Sequence, residues 1–314
     1  MAKKNTRSRR QAKQQQKQRL IWGLGGGGIV VALIGILLVV TGGSRASVSF
    51  PDIHGISFTG DGGQLRVATH TGLVAYQDGN WSKPDLPVND YMGYSGTEDG
   101  FFSSGHPGAG SPLVNPIGLV QSEDHGENIE TINFVGETDF HVMAASYYGD
   151  TVYVLNPAPN SLLSAGLHYS LDAGETWEQS VASGLTSAPL QIAVHPTEPG
   201  VVAAGTRAGL FLSEDFGATF TPVSTDSPVT TVSFDPDGER LLFGYGRVAV
   251  YDLETGEITG FSQHPIVATD QAILYIAANP VTDALAFATS DRDIFYSSNN
   301  GQSWEQIGED GVSQ

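Results

Sequence analysis

Ser170-Leu171-Asp172-Ala173-Gly174-Glu175-Thr176-Trp177 reads S-x-D-x-G-x-T-W, and this eight-residue shape returns along the chain. Ser213 to Phe220 repeats it with Phe closing, Ser297 to Trp304 repeats it with Asn299 in the acid position, and Ser122-Glu123-Asp124-His125-Gly126 is a shorter copy. The shape has a physical reason. A short carboxylate or amide accepts hydrogen bonds from nearby backbone N–H groups, and Gly supplies a positive φ without steric cost. Each copy is therefore expected to be a tight turn between two strands, with the closing aromatic packed beneath the hairpin.

Two degenerate copies, Tyr76 to Trp81 and Tyr251 to Gly256, extend the series. The turn glycines Gly79, Gly126, Gly174, Gly217, Gly256 and Gly301 are separated by 47, 48, 43, 39 and 45 residues, the length of a four-stranded blade. Trp81, Trp177 and Trp304 all fall at the last position of the shape. Short apolar runs such as Gly72-Leu73-Val74 and Gly209-Leu210-Phe211 precede the turns as third strands. First strands such as Gln191 to Pro196 and Thr231 to Pro236 follow one repeat later. No long helical period interrupts them. The reading is all-β, a six-bladed β-propeller over 48–314.

The first 47 residues differ in kind. Eight basic residues occupy positions 1–19, and the stretch Leu20 to Val40 carries no charge. A run of about 20 apolar residues crosses a bilayer, and a basic flank stays in the cytoplasm. The expected order is a cytoplasmic tail (1–19), one transmembrane helix (20–41) and a linker (42–47). The propeller would then lie outside the cytoplasm at the cell membrane. A cleaved signal peptide, with Ser44 to Ser47 as its small-residue region, is the alternative.

The chain has no cysteine, so disulfides and thiol chemistry are excluded. Beyond Gly43 seven basic residues stand against all 34 acidic ones, a net of about −27. So acidic a surface excludes nucleic acid as a partner; with Lys83 as its single lysine, the domain reads as adapted to a salty or alkaline exterior.

The repeated motif resembles the Asp-box, or bacterial neuraminidase repeat, of sialidases and sortilin-like proteins. Photosystem assembly factors share that box. In those families the box is a structural turn on the face away from the active site, which implies that function here lies on the opposite face. The whole domain resembles bacterial membrane-anchored Asp-box proteins loosely labelled glycosyl hydrolases, a similarity that Ser104-Gly105-His106-Pro107-Gly108 and Val154-Leu155-Asn156-Pro157 carry beyond the boxes. No Phe-Arg-Ile-Pro motif is present, and the five arginines beyond residue 47 are scattered. Sialidase activity therefore fits poorly.

Aligning the first strands places His54, Met92, His141, Gln191, Thr231 and Tyr275 at equivalent positions around the channel mouth. Asp52, Asp90 and Asp139 precede the first three by two residues, on the same side of a strand of period two. His70, His106 and Asn156 lie in second-to-third-strand loops of the same blades. Long loops with convergent polar residues are where binding sites are built. Capture of a glycan or protein ligand by His54, His70, Asp90, Met92, His106, His141, Asn156, Gln191 and Tyr275 is the leading reading. Glycoside hydrolysis by Asp52 and Asp139 is the second. A transition-metal site at His54, Met92 and His141 is the third, Met pointing to copper. The sequence assigns no cofactor. His125, His168, His195 and His264 read as structural.

Overall fold

The computed structural model describes residues 47–314. The expected tail, helix and nearly all of the linker lie outside the described residues. No helix among the described residues is long and apolar enough to cross a membrane.

Six antiparallel sheets follow one another along the chain. Blade one holds β1 (Ile53–Phe58), β2 (Leu65–Thr69), β3 (Gly72–Gln77) and β4 (Asn80–Ser82). Blade two holds β5 (Asn89–Gly96), β6 (Phe101–Pro107), β7 (Leu119–Ser122) and β8 (Glu130–Asn133). Blade three holds β9 (Met143–Ala145), β10 (Val152–Asn156), β11 (Gly166–Ser170) and β12 (Glu178–Gln179). Blade four is β13 (Pro189–Val194), β14 (Val202–Thr206), β15 (Gly209–Ser213) and β16 (Thr221–Ser224). Blade five is β17 (Thr231–Phe234), β18 (Arg240–Gly244), β19 (Val248–Asp252) and β20 (Ile258–Gly260). Blade six has β21 (Ile273–Ala278), β22 (Leu285–Thr289), β23 (Ile294–Ser297), β24 (Glu305–Glu309) and a fifth strand, β25 (Val312–Ser313).

The first strands form a closed ring, in which β1 touches β5, β5 touches β9, and so on through β13, β17 and β21 back to β1. The apolar cores lie between blades. Ala68 and Leu73 of blade one pack on Tyr91 and Phe101 of blade two, and Ile56 and Val67 of blade one pack on Ala286 and Ile294 of blade six. Middle strands are therefore apolar on both faces; every residue of β14 and β22 is buried. Such a ring leaves only short outer edges, and this is how a propeller manages unpaired strands.

The ring closes where the first and last segments of the propeller meet, which sequence periodicity did not reveal. Phe50 N–H donates to the Gly311 carbonyl at 2.8 Å and Ser313 N–H to that of Val48 at 2.9 Å. Trp81 Nε1 of blade one donates to the Ile307 carbonyl of blade six at 2.7 Å.

The quoted turn is a closed circuit of hydrogen bonds. Ser170 Oγ donates to Asp172 Oδ1 (2.7 Å) and accepts from Gly174 N–H (2.8 Å), while Asp172 Oδ1 accepts from Thr176 N–H (2.8 Å). The same circuit recurs at Ser213/Asp215/Gly217/Thr219, Ser297/Asn299/Gly301/Ser303 and Ser122/Asp124/Gly126/Asn128. The two degenerate copies occupy the same place with different chemistry. Asp78 (φ 50°) and Gly79 (φ 75°) make a two-residue hairpin turn. Asp252 instead holds Thr255 N–H at 2.7 Å.

Candidate functional site at the channel mouth

The mouth residues are carried by the starts of β1 and β5, the β2–β3 turn, the end of β6 and the segment before β9. Thr69 anchors the β2–β3 turn, its Oγ1 donating to the Gly72 carbonyl at 2.7 Å and accepting from Thr71 N–H at 3.1 Å. This holds His70 at the tip. Thr206 makes the corresponding turn in blade four, with Arg207 where blade one has His70.

Strand pairing corrects the first-strand alignment by one residue. Ile53, Pro189 and Ile273 pair with Thr69, Thr206 and Thr289, and the next paired residues are Gly55, Gln191 and Tyr275. His54 is the extra residue of a bulge, equivalent to Leu190 and Leu274. A bulge inserts one unpaired residue and re-aims its side chain, so the period-two argument does not carry across it. Asp52 accordingly faces His70, at 3.5 Å from Nε2, while His54 turns to Asp90 of the next blade, at 3.5 Å from Nε2. Only blade three keeps the expected internal pair, with His141 Nε2 2.9 Å from Asp139 Oδ2.

Two polar groups result. In the first, Asp90 lies between two imidazoles, its Oδ1 3.5 Å from His54 Nε2 and its Oδ2 3.5 Å from His70 Nδ1. The His54 and His70 rings stand 4.5 Å apart, centroid to centroid. In the second, Asp139 Oδ2 lies 2.9 Å from His141 Nε2 and 3.3 Å from His106 Nε2. The His106 ring is held from its other side by Asn115 Oδ1, 2.7 Å from Nδ1. Asn115 was not singled out by sequence; the signal available was its place in the long β6–β7 loop.

Burial holds the His54 imidazole below its ordinary value, against the pull of Asp90 and Asp52. The neighbouring His70 and His141 act in the same direction as burial, so His54 is neutral near pH 7. Burial pushes the Tyr275 hydroxyl up to about 12, with the Asp52 carboxylate adding to the rise.

The other expected binding residues make contacts of their own. Asn156 is buried and donates from Nδ2 to the Ser164 carbonyl at 2.9 Å, bracing the β10–β11 loop. Gln191 accepts from Val232 N–H at 2.8 Å and ties blade four to blade five, although it also borders the channel. Met92 sits half-buried in the irregular stretch between Asp90 and Gly93 of β5. Tyr275 lines the axial channel together with residues from all six first strands, around a cavity of about 120 Å³. The imidazole and carboxylate groups are not part of that lining; they belong to the rim over blades one to three.

The remaining histidines are structural. His195 accepts from Thr197 and Glu198 N–H at 3.2 and 3.0 Å, and its Nε2 meets the Gly238 carbonyl at 3.0 Å. His264 accepts from Val248 N–H at 3.0 Å and stacks on Phe287. His168 lies 3.1 Å from the Gly166 carbonyl, and His125 holds a left-handed turn position at φ 58°.

No known family model matches this sequence, and no curated protein matches it. Among solved structures, the GH74 xyloglucanase of Xanthomonas campestris is similar with a TM-score of 0.53 and 14% identity, over 83% of this chain and 46% of that one. The Niastella koreensis GH74 enzyme gives a TM-score of 0.56 and 14% identity, over 84% and 46%. This chain thus spans about half the length of those two, and the likeness is one of fold. A YCF48 structure with a bound D1 peptide gives a TM-score of 0.46 and 17% identity, over 83% of both chains.

Proposed function

We propose that this propeller captures a glycan or protein ligand at the rim over blades one to three, and that residues 1–47 anchor it to a membrane with the propeller outside the cytoplasm. The observation supporting capture is convergence: Asp52, His54, His70 and Asp90 meet in one group, and His106, Asp139 and His141 in another, at the same end of the first strands. Charged and imidazole groups offered together at an open rim suit recognition of a polar ligand. The anchoring part rests on the basic positions 1–19 followed by the uncharged run Leu20 to Val40.

The purified full chain, screened against a glycan and peptide array, should retain a defined ligand that the double variant His54→Ala/His141→Ala releases while its circular dichroism stays native. Unchanged retention by the double variant would refute a role for the rim. For topology, protease added to intact cells should digest the propeller and spare residues 1–19; a protected propeller would reverse the orientation.

Glycoside hydrolysis is the second reading, favoured by two carboxylates at one rim. Each is already committed to imidazoles, Asp52 to His70 and Asp139 to His106 and His141, which places it behind capture. Release of reducing sugar from a β-glucan panel, lost in Asp52→Asn and Asp139→Asn, would reverse that order.

A further inference from the structure

Among the described residues, His54, His70 and Asp90 form a group whose ligand atoms all lie within 4.8 Å of one another. The separations inside it are unlike hydrogen bonds. Charge-assisted N–H···O contacts run about 2.7–2.9 Å, whereas both imidazole-to-Asp90 distances are 3.5 Å. Two ligands each about 2.0–2.1 Å from a tetrahedral ion stand about 3.3–3.4 Å apart. Each ring nitrogen therefore stands from its own Asp90 oxygen, Oδ1 for His54 and Oδ2 for His70, at about the spacing of two donors on one ion.

The two atoms of the first of those contacts are also unsatisfied. His54 Nε2 and Asp90 Oδ1 are both buried, and neither has a hydrogen-bond partner. Leaving buried polar atoms unsatisfied is costly and rare. One cation between them would satisfy both. The other rim group contrasts, because Asp139 Oδ2 and His141 Nε2 already satisfy each other at 2.9 Å.

We propose that His54 Nε2, His70 Nδ1 and an oxygen of Asp90 bind a divalent first-row transition ion, with Asp52 as the positioning residue behind His70. Asp52 Oδ2 lies 3.5 Å from His70 Nε2, the ring nitrogen facing away from Asp90. At 3.5 Å that carboxylate is not hydrogen-bonded to the ring here; closing on the far nitrogen of a ligating imidazole, it would fix the ring's tautomer and orientation. Two imidazoles and one carboxylate leave a fourth position open, as in metal centres that bind an external group. His70 is 40% exposed at its side chain, so that position faces the rim, where an oxygen or nitrogen of the captured ligand would complete the set. The inference deepens the capture reading and rests on it for the role of the ion, though not for its binding.

The test uses the full chain stripped with chelator, titrated with Zn²⁺ at pH 7.5 and with Co²⁺ as a spectroscopic probe. One equivalent of Zn²⁺ should bind with a Kd of about 1 μM or tighter, weakening as pH falls because protons compete for the imidazoles. His70→Ala and the near-isosteric Asp90→Asn should each weaken binding by about 100-fold or more, and Asp52→Asn by about 10–100-fold. His141→Ala should leave it unchanged. Co²⁺ should show the intense visible bands of a four-coordinate site, lost in Asp90→Asn. Absence of stoichiometric Zn²⁺ binding, or equal affinity in wild type, His70→Ala and Asp90→Asn, would overturn the proposal. So would a loss in His141→Ala matching that in His70→Ala. Ligand retention on the array without Zn²⁺ binding would defeat the metal site alone; Zn²⁺ binding without any retained ligand would defeat capture alone.

Discussion

Removing the Trp81 side chain should loosen the closure of the ring more than removing either of the other two blade tryptophans. Its Nε1 reaches the Ile307 carbonyl at 2.7 Å across 226 residues of sequence, and its ring packs on Phe50 at 5.1 Å and Tyr76 at 5.2 Å. Truncating a fully buried aromatic costs about 3–5 kcal/mol; Trp81 is half-buried, so about 2 kcal/mol is expected from ring contacts. The Ile307 carbonyl keeps a second donor, Gln314 N–H at 3.0 Å, so losing the indole hydrogen bond adds the net worth of one bond, about 0.5–1.5 kcal/mol. Trp81→Ala should therefore cost about 2.5–3.5 kcal/mol, and Trp81→Phe, which keeps a ring, about 0.5–1.5.

Trp177 is the internal control. Its Nε1 donates to the Gly174 carbonyl at 2.9 Å, three residues away inside its own turn, whereas the Trp81 bond joins blade one to blade six. Trp177→Ala thus breaks only a local bond and no contact between the first and last blades, and should cost about 2 kcal/mol. Urea unfolding followed by circular dichroism reads the difference; with m near 3 kcal/mol/M, the Trp81→Ala midpoint falls by about 1 M. Equal losses in Trp81→Ala and Trp177→Ala, or equal losses in Trp81→Ala and Trp81→Phe, would refute the closure argument.

Ser213→Ala should cost about 1–3 kcal/mol, because Ser213 Oγ accepts from the buried Gly217 N–H at 2.9 Å and nothing replaces it; an unchanged melting temperature would refute this. Gly93→Ala would bring a Cβ to 2.0 Å from the Phe140 carbonyl oxygen, so it should cost at least the upper end of the about 1–3 kcal/mol overpacking range, read as lost soluble folded protein or a lower urea midpoint. Burial holds His54, His168, His195 and His264 below the ordinary value of 6.5. The unfolded chain then binds protons first, so stability should fall as pH drops below about 6.5 and stop responding to these groups once pH is below their folded values. Thermal melts from pH 7.5 to 5 that stay flat or rise would contradict the burial of these imidazoles.

The blade repeat was legible in the sequence because everything that makes the turn lies within eight residues. Ser170, Asp172, Gly174 and Thr176 satisfy one another locally, and the circuit needs no distant partner to be recognised. Strand order was legible too, since each blade is a meander of neighbours whose apolar residues advertise burial. The rim was legible only as a set of residues near one another. Which acid meets which imidazole depends on a one-residue bulge at His54 and on Asp90 arriving from the adjacent blade, and neither leaves a local periodic trace. The hydrogen-bond partners of Gln191 and Asn156 likewise lie 41 and 7–8 residues away, so their amide chemistry alone did not identify them. Closure is the clearest case: Val48 and Phe50 meet residues 311–313, and Trp81 meets Ile307, only after six blades have turned the chain full circle. Local hydrogen bonding and side-chain alternation determined the repeat, whereas the ring's curvature brought the first and last segments of the propeller and the partners at the rim together.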